Sequence, residues 1–89
     1  MADTNDEELT IQVSAAELAL LKKFNFPCSE KVVASATPTE YGIQLTGSRI
    51  EFDSLAGWVA GEANEADRRR ATRSAALLSN VWEALEAAL

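Results

Sequence analysis

No histidine occurs in this 89-residue chain, and cysteine occurs once, at position 28. The first absence removes the commonest general base and the commonest zinc ligand. The second excludes an intramolecular disulfide and suits a reducing compartment such as the cytosol. Without a histidine to activate it, the Cys28 thiol reads as buried or incidental. There is no phosphate-binding glycine loop and no dinucleotide fingerprint. The start, "MADTNDEE", lacks the ligand spacing and the glycine of a calcium loop. It also lacks the basic and apolar segments of a secretory leader. It reads as a disordered acidic lead-in over residues 1–6, with a single domain over 7–89. No apolar run approaches the length of a bilayer span. Serines and aspartates are present without the third member of a triad, and Glu51 and Asp53 read as a solvated charge pair. No catalytic, cofactor-binding or metal-ligating residue is therefore assigned, and the equipment points away from an enzyme.

What is present is an ordinary globular composition, 47% apolar and 25% charged, with a net charge of −6. Four of the eight basic residues sit in "DRRRATR", residues 67–73, as Arg68, Arg69, Arg70 and Arg73. They contribute +4 to the total of −6, so the rest of the chain carries −10. Such a surface repels phosphate backbones and anionic headgroups, which disfavours nucleic acid and membrane as partners. The cluster follows Glu62, Glu65 and Asp67. On a helix, Glu65 would pair with Arg68 and Arg69, and Asp67 with Arg70, each with the acid on the N-terminal side. The cluster thus reads mainly as an ion-paired helix face. Arg73 has no acid three or four residues before it and is the arginine freest to reach a partner, with Arg69 beside it as a second candidate contact.

Alternation of Leu9, Ile11 and Val13 with Thr10 and Gln12 predicts a half-buried strand. Ser14 and Glu17 form a capping box that opens a helix over about 15–24, ended by Asn25 and Pro27. "KVVASAT" is ambiguous: its valines favour a strand, its alanines do not, and Pro38 closes it. Two readings compete for "YGIQLTGSRIEFD". A turn at Gly47-Ser48 would place Leu45 opposite Ile50 and Ile43 opposite Phe52, with all four on one face. Alternatively, Ser48 and Glu51 form a second capping box and start a helix, with Ile50 and Phe52 pointing about 200° apart. The hairpin accounts for four apolar positions at once and is the favoured reading. From Ser54 onwards the pattern is helical, carrying Leu55, Trp58 and Val59 and then Leu77, Leu78, Val81, Trp82, Leu85 and Leu89, either with a break near Asn64 or as one bent helix. The fold class is α+β: a small antiparallel sheet with helices on one face and a long helical C-terminal region.

Within "GWVAG", Gly57 and Gly61 lie four apart in a predicted helix, each costing about 1 kcal/mol relative to Ala. Small residues at that spacing let another element approach closely, either within the chain or from a partner. Trp58 and Trp82 read as core or half-core, with a subunit interface as the other reading. Trp82 is expected on a buried stripe. The candidate interface is Gly57, Trp58, Gly61, Arg69, Arg73 and Trp82. The function expected is a small acidic cytosolic protein-interaction module, binding another protein or itself as a homodimer. An antitoxin-like or regulatory subunit neutralising a basic partner is the second reading, and a small-ligand binder or enzyme using carboxylates the third.

Overall fold

The computed structural model describes residues 8–26 and 29–89. The expected acidic lead-in and the readings of Pro27 and Cys28 lie outside them. The fold class is the expected one: a three-stranded antiparallel sheet of order β1-β3-β2, combined with helices that include a long C-terminal one.

Strand β1, Glu8–Val13, follows its alternation. Ile11 and Val13 are buried and Leu9 half-buried, while Thr10 and Gln12 face out. Helix α1, Ala15–Phe24, begins at the predicted capping box. The Ser14 amide donates to Glu17 Oε1 at 2.8 Å, and the Glu17 amide donates to Ser14 Oγ at 3.1 Å. Its end is set by Asn25 in the left-handed region at φ 48°, a conformation Asn tolerates better than most residues. Leu18 and Leu21 face the core.

"KVVASAT" resolves into two elements. A short helix α2, Glu30–Ala34, buries Val32. Strand β2, Thr37–Thr39, follows and contains Pro38. A proline is tolerated there because β2 is a sheet edge. Ser35 joins the two: its hydroxyl accepts from the Thr46 amide at 2.8 Å. Strand β3, Gly42–Ser48, pairs with β2 through a tight turn at Glu40-Tyr41 and with β1 along its whole length, Ile11 opposite Leu45 and Val13 opposite Ile43. One sheet face is apolar and meets the helices. The other carries Gln12, Gln44 and Thr39, which hydrogen-bond one another across the strands.

The hairpin expected at Gly47-Ser48 does not form. Ser48 caps helix α3, Arg49–Arg68, through the same reciprocal box as α1, with Ser48 N to Glu51 Oε1 at 2.8 Å and Glu51 N to Ser48 Oγ at 3.1 Å. The helix sends Phe52 fully into the core and leaves Ile50 65% exposed, so the two do not share a face. Gly47 serves close packing rather than a turn: a Cβ there would meet the Phe52 ring and Val32 Cγ2, both at 2.9 Å.

Helix α3 passes Asn64 without a break and stops at the arginines. The Arg70 amide donates to the Asp67 carbonyl at 3.0 Å and the Ala71 amide to the Ala66 carbonyl at 2.8 Å. This is a Schellman closure with Arg70 at the left-handed position, φ 61°. Helix α4, Thr72–Ala88, then runs back along α3. Its Leu78, Val81 and Leu85 join Phe52, Leu55 and Val59 of α3 and Ile11, Val13 and Leu45 of the sheet in one core.

Candidate functional site

The arginine cluster is a helix–helix turn, not one helix face. Arg68 closes α3 and Arg69 caps it. Both reach Glu65, Arg68 at 3.2 Å and Arg69 at 3.6 Å, as their spacing predicts. The expected Asp67–Arg70 pair is absent among the described residues, because Arg70 has left the helix in the left-handed conformation. Arg73 is the second residue of α4, exposed and without an ion pair among the described residues. Arg69 and Arg73 therefore stand at the end of the α3–α4 hairpin, away from the midpoint of α3 where the glycines lie.

Of the other four candidates, Gly57 and Gly61 share the outer side of α3, with Trp58 and Trp82 bordering it. At about 100° per residue, Ile50, Gly57, Gly61 and Arg68 fall within about 40° of each other on the side of α3 opposite Phe52 and Val59. All four are exposed. Among the described residues, nothing lies within 4 Å of a Cβ built on Gly57 or Gly61. The close approach that would account for the two glycines is thus not made by any of the described residues.

Two tryptophans border this bare strip. Trp58 stands about 80° to one side of it and is 51% exposed. Its ring stacks on Phe26 at 6.5 Å, and Phe26 on Phe24 at 5.5 Å. The platform fixes the indole without covering its outer side. Ala60 stands about 80° to the opposite side. There Ala60, Ala63 and Asn64 of α3, with Ser79 and Trp82 of α4, line an open cleft of ≈ 280 Å³. Trp82 is 39% exposed, which corrects the expectation of a buried stripe position. The stripe that is buried runs through Leu78, Val81 and Leu85, and Trp82 lies on its edge, turned toward α3.

Ile50 extends the surface by two turns and was missed, since the sequence reading placed it in the core beside Leu45. The Ser48–Glu51 box was the signal that could have found it. Of the large apolar side chains exposed among the described residues, Ile50, Trp58 and Trp82 belong to this hairpin surface, and only Tyr41, in the β2–β3 turn, lies elsewhere.

Among the described residues no group of three or more acidic or cysteine side chains is placed to hold a metal ion. No helix among them is long and apolar enough to cross a membrane. The chain matches no protein-family model, no curated protein and no solved structure.

Proposed function

We propose that this chain is a protein-interaction module of the cytosol, and that the outer face of the α3–α4 hairpin is its contact surface. The observation that carries this reading is the pair of open glycines. Each costs about 1 kcal/mol of helix stability, and no neighbour among the described residues uses the space they leave. A bare strip between two half-exposed indoles is what a partner element needs. The strip admits its backbone closely, and the indoles supply large rigid contact area at small entropic cost. The single cysteine fits a reducing compartment.

The test is a photo-crosslinking residue placed at position 61, compared with one at position 44 on the polar face of the sheet. Protein adducts should arise from position 61 in the source lysate and be absent or much weaker from position 44. Mass spectrometry of the adduct distinguishes a second copy from another protein. Equal labelling from the two positions, or none from position 61, would remove the reading.

A further inference from the structure

The proposed contact surface has a charge pattern that selects among partners. Resting on the reading of the α3–α4 face as that surface, we propose that its occupant is a basic amphipathic helix. On the Trp82 side, Glu86 follows the indole by one turn and Glu83 follows Ser79 by one turn. The antiparallel register is set by Trp82 beside Ala60 and Ala63 and by the hydrogen bond from Arg49 to the Leu89 carbonyl at 2.7 Å. That register brings Glu86 level with Asp53 of α3. On the Trp58 side, Glu62 follows the indole by one turn. Asp53, Glu83 and Glu86 are exposed and Glu62 is half-buried, and none makes an ion pair among the described residues. The cations gather at the α3–α4 turn, where Arg68 and Arg69 share Glu65 and Arg70 and Arg73 make no ion pair among the described residues. At the other end Arg49 donates to Leu89. Between these two ends, alongside Gly57 and Gly61, the uncompensated charge bordering the strip is negative.

A helix with an apolar stripe and lysines or arginines flanking it complements this arrangement in shape and charge. Its stripe lies over Gly57 and Gly61, one larger side chain enters the cleft against Trp82, and its flanking cations meet Asp53, Glu83 and Glu86 on one side and Glu62 on the other. Desolvating the strip strengthens those charge pairs relative to bulk water. A second copy of this chain fits less well. Two copies each carry −6, and that like net charge opposes their association.

The probe is a synthetic peptide of about 18 residues, or about five helical turns, with a leucine and alanine stripe flanked by lysines. A twin carries glutamates in place of the lysines. Tryptophan fluorescence reports binding. The lysine peptide should bind and the glutamate twin should not. Gly61→Leu, and separately the pair Asp53→Lys with Glu86→Lys, should each weaken binding by about tenfold or more, equivalent to about 1.4 kcal/mol. Glu30→Lys with Glu40→Lys changes the net charge equally at positions on α2 and the β2–β3 turn, and should leave binding within about twofold. Trp58→Ala is the second strip variant, and circular dichroism melts confirm that each variant is folded. Absence of binding at millimolar peptide overturns the proposal, as does equal weakening by the remote lysine pair or indifference to Gly61→Leu. A doubled mass that Gly61→Leu abolishes, without peptide binding, overturns the basic partner but keeps the face as a contact surface. The crosslinking comparison at positions 61 and 44 tests the face itself, so the two failures are separable.

Discussion

Gly47 and Gly61 stand on opposite sides of the same packing problem. A methyl group on Gly47 would strike Phe52 and Val32 at 2.9 Å, both of which are completely buried. A methyl group on Gly61 would meet none of the described residues within 4 Å, and the same holds for Gly57. The first glycine is required by the fold: β3 must pass close beneath the first turn of α3, and only hydrogen fits. The other two are not required by any contact among the described residues. A missing side chain is thus explained on the inner side of α3 and left unexplained by the described residues on its outer side, and the proposed contact surface rests on that difference.

The largest effect should come from deepening the inner side of this contrast. Phe52→Ala empties the space around which β3, α2 and α3 meet. Core losses of this kind cost about 3–5 kcal/mol, most of the stability that a domain this small holds. The variant should be largely unfolded at room temperature by circular dichroism. Trp82→Ala, at the edge of the outer side, should cost only about 1–2 kcal/mol, because much of the ring is already in water. If the two variants melt alike, the inner and outer sides are not energetically distinct.

The sequence made some of this visible and hid the rest for identifiable reasons. β1 and α1 were legible because alternation, the Ser14–Glu17 box and Asn25 all agree. The start of α3 was legible in principle. The Ser48–Glu51 box was present, but the apparent pairing of Leu45 with Ile50 and Ile43 with Phe52 competed with it. Pairing partners are a tertiary matter, and β3 finds them in β1, from Val13 opposite Ile43 to Glu8 opposite Ser48, far earlier in the chain. The end of α3 was hidden because its left-handed residue is an arginine, where glycine or asparagine would have marked the stop. For the candidate site, the spacing of Gly57 and Gly61 was readable, but whether they faced in or out was not. That depends on which side of α3 the sheet takes, and Phe52 decides it.

Next in size is the inner glycine itself. Gly47→Ala must displace the Phe52 ring or Val32 within a close-packed core, and overpacking there costs about 1–3 kcal/mol. Thermal melting should show a clear loss. A melt equal to wild type would mean that the ring can retreat and that the close approach at β3 is not tight.

Arg70 tests the end of the same helix. A non-glycine residue in the left-handed region is held there at a cost of about 1–2 kcal/mol, and Arg70 forms no ion pair among the described residues that would offset it. Arg70→Gly removes the steric cost but gives the unfolded chain more freedom. A net gain of about 1 kcal/mol is expected, read as a rise of several degrees in melting temperature for a domain of this size. A fall in melting temperature would show that the arginine side chain contributes to the turn.

The smallest effect decides most about the outer side. Gly57→Ala and Gly61→Ala each restore helix propensity at an exposed position with room for the methyl group, so each should stabilise the isolated chain by about 0.4–1 kcal/mol. The sign, not the size, carries the argument. Stabilisation by both alanines means that the bare strip works against the stability of the monomer and serves something beyond it. Destabilisation by either means that the strip is already occupied in the resting protein. A concentration series separates the causes: a loss that disappears on dilution belongs to a contact between copies, whereas a loss independent of concentration belongs to an element of the chain itself. The leucine variants then complete the contrast with Gly47. On the outer side even a large side chain should leave the monomer folded while blocking the contact, whereas on the inner side a single methyl group is already too much.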